Sequence, residues 1–326
     1  MSQLSIAFQT NKSINDYGPL AAQVEALGFD GVTVYNDMLY QPSWLPLLEM
    51  ARHTKHIRLG PAAVNPFTSH PINIAGNIAL LAEAAPNRTY LGLARGSWLD
   101  FVGVKPRGAI TAVRDAIAGI RHLLHQDKAP FASDHFPLAG GDSLRWQIPQ
   151  ANIPFLLGTW GPKLMQACLP DIAEIKLGGT ANPDVVPPMQ AIIDNSEAKT
   201  GIVVGAVTVV DKDGAKARQL AKREVALYLP IVASLDPTVT IEPDRLAGLK
   251  AAANSYDFDH GASFVSDELL SRFAFAGTPD DIIAQTEALF AAGASRVEFG
   301  TPHGLTTESG LTLLGKVEAA FPKRNT

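Results

Sequence analysis

The chain reads as a (β/α)8 barrel. Two observations predict it: eight short runs rich in Val, Ile and Leu alternate with longer stretches of helical period, and those short runs are apolar throughout. Apolar strands separated by amphipathic helices mark a parallel sheet covered on both faces. Such a barrel takes roughly 250 residues before insertions, so a chain of 326 residues carries a surplus. The same order of elements also fits a doubly wound open sheet, which is the rival layout.

The strand candidates in order are LSIAFQ (4–9), GVTVYN (31–36), IRLGPAAV (57–64), TYLGLA (89–94), IPFLLG (153–158), IAEIKL (172–177), IVVGAVTVV (202–210) and SRVEFG (295–300). Between them run the helical stretches DYGPLAAQVEALG, LPLLEMARHTKH, INIAGNIALLAEAA, AITAVRDAIAGIRHLLHQ, PKLMQACLP, PDVVPPMQAIIDNSEAKT and GAKARQLAKREVALYLPIVASL. The last strand is preceded by TPDDIIAQTEALFAAG and followed by TESGLTLLGKVEAAF. The surplus falls in two insertions within a single domain. One is 127–152, with Pro130, Pro137, Gly140, Gly141 and Pro149; the other is the helical region 236–274.

Composition excludes several classes. One cysteine, Cys168, leaves no intrachain disulfide framework and fits a reducing compartment; among Leu164, Ala167 and Leu169 it reads as buried packing. The start, MSQLSIAFQTNK, lacks a signal-peptide pattern, and the expected location is the cytoplasm. Leu59 to Ala82 is free of Asp, Glu, Lys and Arg, but three prolines, three asparagines and His70 rule out a membrane span. A net charge of -5 with no basic stripe argues against nucleic acid. His122 and His125 share a helix face without a nearby cysteine or carboxylate at ligand spacing, so no metal is expected. Neither a G-x-S-x-G elbow nor a P-loop is present, and no G-x-G-x-x-G follows the first strand.

A barrel places its chemistry in the loops after the strands. Asn36 and Asp37 follow the second strand; Asp37 reads either as a turn or helix-capping carboxylate or as a cofactor anchor and proton-transfer group. After the third comes GPAAVNPFTSHP (60–71), with three prolines and no charge. Asn65 and His70, each before proline, are held extended. This stiff neutral segment is either a plain connection or the wall behind a flat aromatic ligand. Gly96, Ser97 and Trp98 follow the fourth strand. Gly158, Thr159 and Gly161 then lead to Pro162 and Lys163, and Gly178 and Gly179 to Asn182 and Pro183. Glycine-rich turns opening helices can cradle an anion, although each also serves as an ordinary helix start. Two of them opposite a neutral wall suit a flat ring with a phosphate-bearing tail, the profile of a flavin-type cofactor.

These blocks, IRLGPAAVNPFTSHPINIAGNIALL, IPFLLGTWGPKLMQ, GGTANPDVV and FAGTPDDIIAQTEALFAAGASRVEFGTPHG, resemble the luciferase-like flavin and deazaflavin oxidoreductases. Within them they resemble the methylenetetrahydromethanopterin reductases that use coenzyme F420. The resemblance spans about residues 3 to 321 and implies a barrel with the deazaflavin across its C-terminal mouth. It implies a cis peptide at Ala62–Ala63 behind the ring, with Ala62, Ala63 and Val64 as the wall and Asn65 orienting by hydrogen bonds. The tail is expected near Gly158, Thr159, Gly161, Gly178 and Gly179, where the long acidic tail of the deazaflavin wants more cationic contacts than Lys163 and Lys176 supply, and Gly96 and Ser97 also border the cofactor.

Asp37 matches the family carboxylate after the second strand and is the expected acid or base. Three departures qualify the reaction. Met38 stands where sugar-oxidising members carry histidine, Gln9 where the reductases carry glutamate, and Ser97 where they carry an acid. The expected activity is hydride transfer between reduced F420 and an electrophilic carbon of a small-molecule substrate, with Asp37 and Gln9 as catalytic residues. The alternatives are an FMN-dependent monooxygenase or reductase, and a non-catalytic cofactor-binding barrel. A homo-oligomer, dimer or larger, is implied by the resemblance.

Overall fold

The computed structural model describes residues 2–321. Its strands are β1 (Gln3–Phe8), β2 (Gly31–Val34), β3 (Arg58–Pro61), β4 (Leu91–Ala94), β5 (Phe155–Gly158), β6 (Glu174–Gly178), β7 (Gly201–Val210), β8 (Ala274–Gly277) and β9 (Arg296–Gly304). All pairings are parallel, in the order β3-β2-β1-β9-β7-β6-β5-β4. The two outer strands meet. Bridges join Leu59 to Thr89 and Val64 to Leu93, and Val64 N–H donates to the Gly92 carbonyl at 3.0 Å. That closure makes a barrel and excludes the open sheet.

All eight expected strands are present, and a ninth is added. β8 pairs with Val207–Val210 at the upper half of β7. It occupies the flank that β6 covers lower down, along Gly201–Gly205. Four residues, AFAG, directly after a helix carry too little pattern to announce a strand.

The helices are α1 (Ile14–Ala26), α2 (Trp44–His53), α3 (Pro71–Ala84), α4 (Ala109–Leu124), α5 (Pro162–Cys168), α6 (Val186–Asp194), α7 (Gly214–Ala226), α8 (Leu229–Val232), α9 (Pro243–Ser255), α10 (Phe258–Ser263), α11 (Asp267–Phe273), α12 (Pro279–Ala291) and α13 (Thr307–Ala319). The buried faces of α1 to α6, α12 and α13 join the strands in one apolar cluster. The long helix expected over 214–235 breaks into α7 and α8. Pro230 lacks the N–H that a continuing helix would need, and it is accommodated in the first turn of α8. α12 starts in a reciprocal cap: Thr278 Oγ1 accepts from Asp281 N–H at 3.3 Å, and Asp281 Oδ2 accepts from Thr278 N–H at 2.8 Å.

Of the two insertions, 127–152 holds only the Phe131–Leu138 bridge. It runs along the outside of α3 and α4, where Trp146 lies over Gly76 and Phe131 over Gly119. The second carries α9, α10 and α11, which pack with α7 on a separate apolar cluster around Leu229, Leu249 and Phe273. Cys168 is buried, and burial pushes its thiol up to about 12.

Candidate active site

Inside the barrel the strands are not apolar throughout. Glu174 and Lys176 on β6, and Arg296 and Glu298 on β9, point inward because residues two apart share one face of a strand. Lys176 donates to Glu298 Oε1, and Thr33 Oγ1 donates to Glu298 Oε2. Arg296 Nη2 donates to Glu174 Oε2 at 3.0 Å, and Arg58 closes on the same oxygen at 3.1 Å. Tyr90 hydroxyl lies 2.6 Å from Thr33 Oγ1. Burial by itself would raise the Glu298 carboxyl, but Lys176 and Arg296 outweigh it and hold the group below the usual carboxylate range.

This corrects the expectation for Lys176. Its ammonium is spent on Glu298 and sits 5.0 Å from the Tyr35 ring centroid, buried in the barrel interior. The signal was present in the sequence as E-x-K in AEIKL and R-x-E in RVEFG, charges two apart inside apolar runs. Tyr35, next in line above this network, has its phenol pushed well above the ordinary range by burial, then by Glu298 and Asp37.

The mouth itself is built from the strand ends. Gln9, just after β1, donates from Nε2 to Asp37 Oδ2 at 2.8 Å, while its Oε1 accepts from Thr10 N–H at 2.9 Å. Gln9 is therefore fixed in orientation, and it fixes Asp37 in turn. Asp37 caps no helix; α2 begins seven residues on, after Ser43. The loop between is tied down by its neighbour, since Asn36 Oδ1 accepts from Ser43 N–H at 3.0 Å and from its hydroxyl at 2.9 Å. Asp37 and Met38 are half-buried at the rim.

After β3 the chain bulges. Ala62 N–H donates to the Val34 carbonyl on one side at 2.9 Å, and two residues later Val64 bonds with Gly92 on the other. The Ala62–Ala63 peptide between them is cis, as expected. Ala62 rests on Tyr90, Leu156 and Val203 of the barrel interior. Gly92 makes the close approach possible, because a Cβ there would meet the Pro61 carbonyl oxygen at 2.2 Å. Asn65 is buried, and its Oδ1 accepts from Phe67 N–H at 3.1 Å and Thr68 N–H at 2.9 Å. That oxygen orients the loop; only its amide nitrogen, beside Gly96, is left for another role. Ser97 is exposed on the rim.

Across the mouth, Gly158 faces the bulge: a Cβ on it would sit 3.4 Å from that of Ala94 and 3.9 Å from that of Ala63. Thr159 Oγ1 accepts from Gly161 N–H at 3.0 Å and so shapes its own turn. Gly178 has open space where a Cβ would point, whereas Gly179 is held at φ +81° under Val232 of α8 and Tyr228 just before it. Lys163 is exposed. Asn182 serves structure, since its Nδ2 donates to Asp236 at 2.9 Å and Thr238 at 2.8 Å. The His122 ring lies tilted against Phe131, 5.5 Å between centroids, and His125 Nε2 lies 3.0 Å from Asn152 Oδ1.

One mouth residue had no expectation attached. His303 on β9 is fully buried, with Nε2 3.1 Å from the Ala7 carbonyl of β1 and its ring edge-on to Phe8. Burial pushes it down to about 4.

Relatives are consistent with this site. The chain is 28% identical over 309 residues to the 5,10-methylenetetrahydromethanopterin reductase of Archaeoglobus fulgidus, covering 90% of this chain and 91% of that protein. Its fold matches the coenzyme F420 dependent tetrahydromethanopterin reductase from Methanopyrus kandleri with a TM-score of 0.88 at 22% identity, over 98% of this chain and 99% of the other. An F420-dependent secondary alcohol dehydrogenase in complex with an F420-acetone adduct matches with a TM-score of 0.80 at 18% identity, again over 98% and 99%. Residues 2–296 match the luciferase-like monooxygenase family. With the closed barrel, the bulge after β3 and this match over most of its length, the chain belongs to that family.

Proposed function

We propose that the chain is an F420-dependent oxidoreductase that passes a hydride between the deazaflavin and an electrophilic carbon of a second small molecule. The observation that carries this reading is the composition of the mouth. A neutral wall, Ala62 to Val64, faces glycine strand ends, and one carboxylate, Asp37, is held at the rim by Gln9. The open space at Gly178 and the neighbouring turn at Gly158–Gly161 are a cradle into which a cofactor tail fits. The likeness to F420-dependent enzymes supports it.

When bound, the deazaflavin supplies the hydride chemistry. The protein's part is positional: Ala62 and Ala63 back the ring, Gly158, Thr159, Gly161, Gly178 and Gly179 receive the tail, and Gly96 and Ser97 border the opening. Asn65 shapes the loop and offers its amide nitrogen. Asp37 holds or releases the proton, and Gln9, unable to shuttle one itself, sets the direction of the carboxylate.

Lys176 turned inward favours a second reading, FMN, because it removes one of the two cations expected near a long acidic tail. Titration with F420 and with FMN, read by cofactor absorbance, separates them. Binding of FMN alone refutes the F420 assignment, and binding of neither makes the chain a non-catalytic barrel. Asp37→Asn is expected to lower turnover about 10²-fold or more, the value of a positioned acid–base group; unchanged turnover removes Asp37 from the proton path. The reading includes one domain, a cytoplasmic location and an assembly of two or more copies, which size-exclusion chromatography with light scattering tests. Among the described residues, no helix is long and apolar enough to cross a membrane.

A further inference from the structure

β2 runs on past Val34 into Tyr35. Thr33 points inward, onto Glu298, and residues two apart on a strand share a face, so the Tyr35 ring also enters the barrel. The ladder continues through it: Tyr35 N–H donates to the Phe8 carbonyl at 3.0 Å, and Ala62 N–H to the Val34 carbonyl at 2.9 Å. Since Val34 is level with Pro61, Tyr35 is level with Ala62, the first residue of the neutral wall. The ring reaches across β1 to β9, where a Cβ on Gly300 would meet the Tyr35 hydroxyl oxygen at 2.7 Å. Gly300 stands two residues above Glu298 on the same strand face. The hydroxyl therefore lies one layer above the buried charges, at the floor of the mouth.

It has no hydrogen-bond partner among the described residues. The other tyrosines withdrawn from solvent do: Tyr17 donates to Gln41 Oε1 at 2.8 Å, Tyr228 to the Phe273 carbonyl at 2.8 Å, and the Tyr90 hydroxyl lies 2.6 Å from Thr33 Oγ1. A phenol taken from water ordinarily finds a partner, because an unmade bond there costs free energy. Lys176 lies 5.0 Å from the Tyr35 ring centroid within the barrel, and Tyr35 is only half-buried, which leaves the mouth as the side from which a partner comes. Burial, then Glu298 and Asp37, hold the phenol well above its ordinary range. It donates a hydrogen bond without giving up its proton, and proton transfer is left to Asp37.

A hydride carries two electrons and one proton. A neutral ring that takes one up gains one unit of negative charge, and the ring loses that charge again when the hydride leaves. A fixed donor beside the atom where the charge gathers stabilises the hydride-carrying form more than the other. We propose that the Tyr35 hydroxyl donates a hydrogen bond to the flat redox ring lying on Ala62 and Ala63, at a ring oxygen or nitrogen that grows more negative when hydride is taken up. The inference rests on the proposed function, which puts such a ring there.

The test uses the full chain and anaerobic calorimetric titration with oxidised and with reduced F420. Three proteins are compared: the natural chain, Tyr35→Phe, and one in which 3-fluorotyrosine replaces Tyr35. Tyr35→Phe is expected to weaken the reduced form about tenfold more than the oxidised form, the worth of a hydrogen bond to a charged group. For a two-electron couple that is a fall of about 30 mV in the potential of the bound cofactor. The fluorinated ring, a stronger donor of nearly the same volume, is expected to move the ratio the other way. Thermal melting of Tyr35→Phe is expected not to fall, since the hydroxyl bonds to nothing in the protein. Equal weakening of both forms, or none, in a protein that binds F420 overturns the inference while the proposed function stands. A lower melting temperature with an unchanged ratio gives the hydroxyl a packing role and overturns it too. Should Tyr35→Phe fail to fold, the fluorinated protein decides, and an unshifted ratio refutes the donor. Where FMN binds and F420 does not, the F420 assignment falls, and the same ratio read with FMN decides for or against the donor. A natural chain that takes neither overturns both.

Discussion

Substitution of Lys176 by methionine tests the barrel interior most directly. Glu298 is fully buried and takes its compensation from Lys176, Thr33 and Arg296, the last at 3.8 Å, beyond hydrogen-bond reach. Lys176→Met would leave a buried carboxylate with one distant cation, and breaking a buried pair in this way costs about 3–5 kcal/mol. Glu298→Gln would strand the Lys176 ammonium, whose side chain is 9% exposed, at a similar cost. The double variant removes both charges together. With roughly 4 kcal/mol for each single change and roughly 5 for the pair, the coupling is about 3 kcal/mol. Urea unfolding of the four proteins, followed by tryptophan fluorescence and far-ultraviolet circular dichroism, measures it, provided the denaturant dependence stays constant. A double variant whose cost equals the sum of the singles, or a Lys176→Met cost below about 1 kcal/mol, would refute the assignment, because a solvated pair behaves that way.

The remaining predictions concern the mouth. Gly179→Ala places a Cβ 2.9 Å from Val232 at φ +81°, so it is expected to destabilise by about 1–2 kcal/mol through the backbone alone and to loosen α8. Gly178→Ala meets nothing within 4 Å, so thermal melting is expected to be unchanged while F420 affinity falls; unchanged affinity would move the tail elsewhere. His303 titrates at about 4 when folded and at 6.5 when free, so between these values the folded chain binds fewer protons than the unfolded one. Stability should fall by up to about 3 kcal/mol as pH drops from about 6.5 to about 4, and His303→Asn, which tolerates a positive φ, should flatten that limb. Urea midpoints across that range decide it, and an unchanged slope in the variant refutes the role of His303.

The strands were legible where hydrophobic runs were long and punctuated. The order of eight runs, with helices between, was enough to place the mouth before any coordinate. What composition could not show was direction within a strand. IAEIKL and SRVEFG read as apolar runs, yet their charges recur every second residue and so line the barrel. Lys176 shows the same limit: its place near the end of a strand says nothing of the side chain's direction, and register puts the ammonium on Glu298. Likewise Gln9 and Asp37 were each visible as strand-end residues, but their mutual bond joins positions 28 apart, which no local pattern encodes. The β3 bulge was legible because its prolines and missing charges are themselves local facts.

The charges inside the barrel bear on the site above them. Arg58, Lys176 and Arg296 face only two carboxylates, Glu174 and Glu298, leaving one net positive charge in a low-dielectric interior. Arg296 Nε and Nη1 have no hydrogen-bond partner, so this charge is incompletely satisfied where it lies. Its field is weakly screened upward, because the route to the mouth passes through Tyr35 and the neutral residues of the bulge. A neutral wall thus stands above a positive floor. That positive floor lies opposite the Asp37 carboxylate at the rim, so the two largely offset each other and the wall of alanine and glycine meets a flat ligand with little net charge.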